Sequence, residues 1–229
     1  MNARILMVPI GTALLGMSAL AADKDEPAHP AITEVLFHVP TGDEGDANHD
    51  GKRDSTGDEF IEIANTTKKT INLKGYRLSS RLSTFDAEGR YGIRFIFPEI
   101  ELPPGGVAVV FNGYNASIPG EVGNADAAPE GPNGSFNDAL VFTMDVSAQN
   151  VALKNGGDFI LLTAPDGTRI DCVVWGKCDP APPTDVAHKE DVGSIRPGGS
   201  IQRVGPDKPW RANKDFDAKP FSPGEIPNG

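Results

Sequence analysis

FILLTAPDGTRIDCVVW, residues 159–175, is the clearest structural signal in the sequence, because it places two apolar runs on either side of a turn sequence. Pro165 presets the backbone angle that a tight turn needs, and Gly167 permits a positive φ. Both runs are rich in β-branched and aromatic residues and have the lengths of β-strands. The segment is therefore predicted to form a β-hairpin.

The second run of this hairpin also assigns side chains to the two faces of a sheet. Successive residues of a strand point to opposite sides, so alternate residues share a face. Ile170, Cys172 and Val174 are predicted on one side of the strand. Arg169 and Asp171 are predicted on the other side.

Short apolar runs separated by turn residues recur along the chain, whereas no convincing amphipathic helical period is present. This pattern predicts an all-β fold in which two sheets pack as a sandwich, with a closed barrel as the alternative. The candidate strands are Ile32–Phe37, Glu59–Asn65, Tyr76–Ser80, Ile93–Phe97, Val107–Phe111, Leu140–Thr143, Val151–Lys154, Phe159–Thr163, Arg169–Trp175 and Ser200–Val204.

The composition agrees with many turns and few long helices, because 26 of the 229 residues are Gly and 20 are Pro. The chain has 21 Lys and Arg residues against 32 Asp and Glu residues, which gives a net charge of -11. A field of this sign repels the phosphate backbone of DNA and RNA. Nucleic acid is therefore disfavoured as a partner.

The N-terminus has the organisation of a secretory signal peptide. Arg4 supplies a positive charge, Ile5–Leu15 is apolar but too short to span a bilayer, and Ala19–Ala21 resembles a cleavage site. Residues 1–21 are therefore predicted as a signal peptide, which directs the remaining chain to the periplasm or the cell exterior. No later stretch is long and apolar enough to predict a membrane span.

Composition also divides the rest of the chain. Residues 22–31 are charged and rich in proline, and they are predicted to be a disordered leader. Residues 32–228 are predicted to form one β-sandwich domain. Within this domain, residues 112–138 are polar and rich in Gly, Pro and Asn, so they are predicted to be a long surface excursion between two strands.

Cys172 and Cys178 are predicted to form a disulfide, because an exported protein meets an oxidising compartment. The Cα atoms of a disulfide lie about 4.4 to 6.8 Å apart, so the chain has to double back between the two residues. Gly176 favours such a turn. A catalytic cysteine lacks a neighbouring histidine in this sequence, and two thiols alone do not complete a zinc site.

DANHDGKRD, residues 46–54, is the sharpest local signal for chemistry. Side-chain oxygens stand at positions 1, 3, 5 and 9 with glycine at position 6, which is the spacing of a calcium loop of the EF-hand type. Calcium binds about six to eight oxygens, so the loop supplies most of a shell. The predicted ligands are Asp46, Asn48, Asp50, the Lys52 carbonyl, and Asp54 directly or through water.

The loop departs from the EF-hand pattern at its closing ligand. Position 12 is Gly57, whereas Asp58 comes one residue later and Glu59 two residues later. Asp58 is the predicted closing ligand, with Glu59 or a residue elsewhere as alternatives. An ordinary acidic turn is the alternative to a calcium site. A bound calcium ion is expected to have an architectural role, holding the Ile32–Phe37 strand against the Glu59–Asn65 strand.

Motifs of known catalytic sites are not found in the sequence. The histidines are scattered without an HExxH pair, and neither a Gly-x-Ser-x-Gly elbow nor a phosphate loop is present. Asp58 and Glu59 are adjacent, so in a strand they face opposite sides and do not flank one bond. The chain is therefore predicted not to be an enzyme. Trp175 is predicted either to contact a ligand on an outward face or to cover the edge of the sandwich.

Short segments in a fixed order along residues 32–228 resemble those of a known family. The segments are Thr33–Leu36, Asp58–Asn65, Ile71–Ser79, Phe95–Pro98, Leu102–Phe111, Asn155–Leu162, Asp166–Gly167, Asp171, Gly199–Arg203, Trp210 and Ser222–Gly224. This series resembles a bacterial lamin-tail domain. The resemblance implies an immunoglobulin-like β-sandwich with an interaction or structural role. It also implies that such domains accompany nucleases or other hydrolases in some bacterial proteins.

Two functional hypotheses follow. The first is an exported, non-catalytic module, stabilised by calcium and one disulfide, that binds an extracellular or envelope protein or glycan. The alternative is an accessory domain or subunit of a secreted nuclease or other hydrolase. The two differ in whether the protein changes the rate of an enzyme.

Overall fold

Strands account for most of the regular structure in the computed structural model, which describes residues 28–86, 92–195 and 198–227. The predicted signal peptide, residues 1–21, and the first part of the predicted leader, residues 22–27, lie outside the described residues. For the rest of the leader, residues 28–31, the prediction of disorder is wrong. His29 Nδ1 lies 2.7 Å from Tyr76 Oη, and Ala31 pairs with Ala64 of the neighbouring strand.

One sheet has six strands in the order β13-β12-β1-β2-β7-β8. Its neighbours are antiparallel except β7 and β8, which are parallel. Its strands are β1 Ala31–Leu36, β2 Phe60–Ala64, β7 Val107–Phe111, β8 Leu140–Thr143, β12 Ile201–Gln202 and β13 Arg211–Ala212.

The second large sheet has five strands in the order β11-β10-β9-β4-β5, and a third sheet pairs only β3 with β6. Two short helices, α1 Arg81–Phe85 and α2 Lys214–Asp217, follow β4 and β13. The strands of these two sheets are β3 Ile71–Asn72, β4 Arg77–Ser80, β5 Arg94–Ile96, β6 Glu101–Leu102, β9 Gly157–Thr163, β10 Arg169–Gly176 and β11 His188–Asp191.

The predicted hairpin is confirmed as strands β9 and β10, which pair antiparallel across the turn. The predicted faces of β10 are wrong in part, because the pairing shifts between Arg169 and Asp171. Ile170 joins Val173 in the main core, whereas Cys172 faces the outer side of the sheet. One irregular residue pair therefore breaks the simple alternation.

Nine of the ten predicted strands overlap an observed strand, and Val151–Lys154 does not. That segment is a turn whose Leu153 amide donates to the Glu59 carboxylate instead of joining a sheet. Strands β3, β6 and β13 are two residues long, too short for a pattern to reveal. Strand β11 consists of HKED and has no apolar alternation at all.

The main core lies between the two large sheets, which confirms the all-β sandwich. Both sheets contribute buried side chains to it, and Trp175 is among the largest. Its residues include Ile32, Val35, Ile61, Ile63, Ala108 and Val110 on one sheet, and Leu78, Phe95, Ile160, Leu162, Val173 and Trp175 on the other.

A second apolar cluster lies on the outer face of the six-stranded sheet. Parallel strands need a long crossover between them, and the 112–138 connection supplies it between β7 and β8. The connection is the predicted loop, but it also brings Phe136 onto Phe111, with 5.3 Å between the ring centroids. The loop is therefore part of the packing and covers this face of the sheet.

Candidate functional site

The predicted calcium loop folds as a tight turn around residues 46–51. His49 and Gly51 both have positive φ angles, of 59° and 85°. The Asp50 amide donates to Asp46 Oδ1 at 3.2 Å and to Asn48 Oδ1 at 3.0 Å, and the Gly51 amide donates to Asp46 Oδ2 at 3.0 Å. The side chains of Asp46 and Asn48 therefore meet at the Asp50 amide.

Asp50 also links this turn to the long 112–138 connection. Its Oδ1 accepts from the Lys52 amide at 2.9 Å, and its Oδ2 accepts from the Ser117 amide at 3.1 Å. Lys52 is exposed. The carboxylate thus joins two loops that lie on the same side of the six-stranded sheet.

Asp58, the predicted closing ligand, holds the loop from inside. Its Oδ1 accepts from the amides of Ala47 at 2.8 Å and Asn48 at 3.0 Å, and its Oδ2 accepts from the Asp54 amide at 2.6 Å. Burial raises the pKa of Asp58 to about 6, although these three hydrogen bonds act in the opposite direction. Both oxygens of this carboxylate are therefore occupied by backbone amides.

The other candidates at the end of the loop are also used for backbone contacts. Asp54 Oδ1 accepts from the amides of Thr56 and Gly57, at 2.8 and 3.0 Å. Glu59 is buried, and its Oε2 accepts from the Leu153 amide at 2.9 Å. In the described ranges no three His, Cys, Asp or Glu side chains are grouped to hold a metal ion. Asp54, Asp58 and Glu59 therefore all use carboxylate oxygens to hold backbone amides, and the calcium ligand set stays a prediction.

An acidic cavity of about 350 Å³ adjoins the turn. Asp43, Glu44 and Asp46 line one side of it, and the C-terminal segment 219–225 lines the other. The His49 ring closes one wall by stacking on Phe136, with 4.8 Å between the ring centroids.

Cys172 and Cys178 are both free, so the predicted disulfide is not found. Strand β10 ends at Gly176, which has a φ of 59°, and Cys178 then packs beside the outer cluster that contains Cys172 without bonding to it. Cys172 is buried, and burial raises its thiol pKa to about 12. The Cys178 thiol instead donates to the Asp158 carbonyl at 3.1 Å.

Trp175 does not serve as a ligand platform. Only 1% of its surface is exposed, its ring stacks on Phe37 at 4.3 Å between centroids, and its Nε1 donates to the Lys154 carbonyl at 2.9 Å. The shift in the β10 pairing turns this side chain into the core. The predicted ligand contact is therefore wrong.

Sequence analysis missed a buried carboxylate pair on the six-stranded sheet. Glu34 of β1 and Glu62 of β2 are direct cross-strand partners, and both are fully buried. Glu34 accepts from Ser200, Gln202 and Ser222, whereas Glu62 accepts from Thr33 and from the Gly224 amide at 2.9 Å. Burial and the neighbouring Glu34 raise the pKa of Glu62 well above its usual value. The signal in the sequence is an acidic residue in an otherwise apolar strand.

A buried ion pair, also missed, joins the two large sheets. Arg203 pairs with Asp171 and donates through Nε to the Ile32 carbonyl at 2.8 Å. Its guanidinium also lies 4.8 Å from the Trp210 ring. Burial raises the pKa of Asp171, and the charge of Arg203 acts against that rise. The pair fixes the C-terminal part of the chain to the sandwich.

Comparison with known proteins places this architecture in a family. None of the helices within the described residues is long and apolar enough to cross a membrane. A search of curated proteins finds no match. The family model described as Lamin Tail Domain matches residues 38–177, which include strands β2 to β10 and the predicted calcium loop. The chain therefore belongs to the lamin-tail domain family, whose fold is an immunoglobulin-like β-sandwich.

Proposed function

We propose that this chain is an exported, non-catalytic module for interaction or structural roles, and that its 46–54 loop binds calcium. The observation that carries the calcium proposal is the convergence of the Asp46 and Asn48 side chains on the Asp50 amide, within one tight turn. In an EF-hand loop the residues at these positions supply the first three side-chain ligands. The Lys52 carbonyl is the fourth ligand in this proposal.

Two further observations support the proposal. The loop backbone is held by Asp58 from the inside, so the oxygens of the turn stay close together without relying on the metal. The adjoining cavity is lined by further carboxylates, which attract a cation. Export rests on the signal-peptide pattern of residues 1–21.

The non-catalytic role is supported by the use of the buried carboxylates. Glu62 and Asp158 accept hydrogen bonds from backbone amides, and Asp171 pairs with Arg203. These groups, whose pKa values burial raises, are therefore structural elements. Membership of the lamin-tail family agrees with a structural domain.

Thermal unfolding of residues 22–229 in 10 mM calcium and in EDTA tests the metal site. A dissociation constant of about 0.1–1 mM, typical of extracellular modules, predicts a stabilisation of roughly 1.4–2.7 kcal/mol. Asp50→Asn is expected to abolish this stabilisation, because it removes one charged ligand.

Asp166→Asn is the matched control. Asp166 also accepts an amide hydrogen bond two residues along, from Thr168, but it lies on the distant hairpin turn. This variant is expected to keep the full calcium response. A calcium site in the loop is contradicted if calcium stabilises Asp50→Asn as much as the unmodified chain. It is also contradicted if magnesium stabilises the unmodified chain as much as calcium does.

Affinity capture from the envelope and medium of the producing cell tests the interaction role. The immobilised chain is expected to retain a partner without turning over any substrate. Comparison of calcium, EDTA and Asp50→Asn then shows whether the loop organises the binding surface. A change in the rate of a co-secreted nuclease on addition of the chain contradicts the proposal in favour of an accessory role.

A further inference from the structure

The edge of the five-stranded sheet at β5 leaves backbone groups open. The amide of Phe97 donates to the Tyr76 carbonyl, and the amide of Ser80 donates to the Ile93 carbonyl, both at 2.9 Å. Antiparallel pairing alternates bonded and non-bonded residue pairs. In this register the amides and carbonyls of Arg94 and Ile96 point away from β4. No hydrogen bond from the described residues reaches them.

The exposed large apolar side chains of the described residues lie on β5 and on the neighbouring helix α1. These side chains are Leu82 at 37%, Phe85 at 52% and Ile96 at 39% exposure. Ile96 belongs to β5, whereas Leu82 and Phe85 belong to α1. Leu82 lies close to Gly92, just before β5, where an added Cβ would be 2.9 Å from it, and Phe85 packs on Phe159 of β9. Exposed apolar groups that concentrate at one place mark a surface for a partner.

Positive charge is concentrated at this edge of an acidic chain. Arg77 and Arg94 occupy outward positions on β4 and β5, where Ser79 pairs with both Leu161 of the outer cluster and Arg94. Within the described residues neither arginine has a carboxylate partner, and the buried Nε atoms of Arg77 and Arg81 have no hydrogen-bond partner. The net charge of the whole chain is -11.

We propose that β5 and α1 form a docking edge for an extended acidic segment of a partner protein, which adds to β5 as a further antiparallel strand. The open backbone groups supply main-chain hydrogen bonds to the segment. Its acidic side chain lies opposite Arg94 and an apolar one lies opposite Ile96. An acidic segment is repelled by the rest of this chain and attracted here, so charge directs it to this edge.

This inference rests on the proposed interaction role but does not involve the calcium loop. The probe is an acetylated and amidated peptide, Thr-Val-Thr-Glu-Thr-Val-Thr-Glu, added to labelled residues 22–229. Nuclear magnetic resonance titration follows the backbone amides. We expect saturable shifts centred on Arg94 and Ile96, with a dissociation constant on the order of 1 mM for so short a strand.

Two variants separate charge from backbone pairing. Arg94→Glu is expected to weaken binding of the glutamate peptide at least tenfold and to permit binding of the same peptide with lysine in place of glutamate. Ile96→Pro removes an amide that the fold does not use, and proline is tolerated at such edge positions. This variant is expected to keep the fold and to lose binding of either peptide.

Any of the following outcomes contradicts the proposal of a docking edge at β5. Equal binding of the two peptides by the unmodified chain, or shifts confined to other residues, removes the assignment to β5. Dimerisation that Arg94→Glu abolishes assigns the edge to a second copy of the chain instead. Absence of peptide binding together with an intact calcium response defeats this inference while leaving the proposed calcium loop in place.

Discussion

The outer faces of the two large sheets differ in what covers them. On the six-stranded sheet, the 112–138 connection and the C-terminal segment bury an aromatic cluster that includes Phe60, Phe111 and Phe136. On the five-stranded sheet, a smaller cluster around Phe159 is only partly covered, because Phe85 of α1 packs on it and stays half exposed. The same architecture thus has one closed and one open outer face.

Loops, and not strands alone, therefore determine which outer face of the sandwich stays exposed. The closed face also contains the Glu34 and Glu62 pair, which holds the turn at Ser222–Gly224 by hydrogen bonds. The open face instead carries Arg77 and Arg94 without carboxylate partners among the described residues. Stability is therefore expected to depend on the first face and binding on the second.

Phe136→Ala gives the largest expected loss, because it removes a fully buried ring from the closed face. Truncation of a buried phenylalanine costs about 3–5 kcal/mol, and the loop that carries Phe136 fills the gap poorly since Phe111 and His49 pack on both sides. Urea unfolding followed by circular dichroism measures the change. A loss below about 1 kcal/mol contradicts the view that the 112–138 connection is part of the fold.

Glu62→Gln tests the buried acid of the closed face through pH. Because the pKa of Glu62 is raised in the folded state, protonated Glu62 stabilises the fold. This stabilisation is complete at pH values below the usual pKa of a glutamate. This contribution is lost as pH rises through the folded pKa of Glu62. We therefore expect the unmodified chain to lose stability from pH 5 to pH 8, by at least about 1 kcal/mol, and Glu62→Gln to lose less.

Glutamine suits this position, because its amide can donate to Thr33 while its oxygen still accepts from the Gly224 amide. Glu99→Gln is the control, since Glu99 is exposed and its Lys74 partner lowers its pKa. Thermal midpoints at several pH values compare the variants. A pH dependence in Glu62→Gln as steep as that of the unmodified chain shows that Glu62 is not its source.

Local chemistry explains how much of this fold the sequence could reveal. Pro165 and Gly167 specify the β9–β10 turn without reference to the rest of the chain, so the hairpin is predicted correctly. Trp175 is misplaced because one irregular pair in β10 reverses the alternation, and no neighbouring residue signals that shift. Phe136 lies in a polar loop, and only the parallel pairing of distant strands brings it onto the sheet.

In the candidate site, too, some features follow from nearby residues and others depend on the folded chain. Asp46, Asn48 and Asp50 follow a spacing typical of one tight turn, so the meeting of Asp46 and Asn48 at the Asp50 amide follows from nearby residues. The role of Asp58 depends on its burial and on amides at Ala47 and other positions, which is a property of the folded loop. Spacing therefore predicts the turn but not the residue that anchors it.

Phe85→Ala, on the open face, is expected to cost about 1 kcal/mol or less, because half of the ring is already exposed. The contact that remains to be lost is the edge-to-face arrangement with Phe159, at 6.3 Å between ring centroids. The same urea experiment as for Phe136→Ala makes the two faces directly comparable. Equal losses at the two positions remove the contrast between a closed and an open face.

Reductant is expected to leave the unfolding midpoint unchanged, because Cys172 and Cys178 are free. A disulfide closing so short a loop stabilises a protein by roughly 2 kcal/mol, so the alternative is measurable. Thiol titration without reductant adds an independent test. Cys178 is expected to react in the folded chain, whereas Cys172 reacts only after unfolding, since it is buried and its thiol pKa is raised to about 12. If no thiol reacts even in the unfolded chain, the two cysteines are joined, and the outer cluster of the open face is then held covalently.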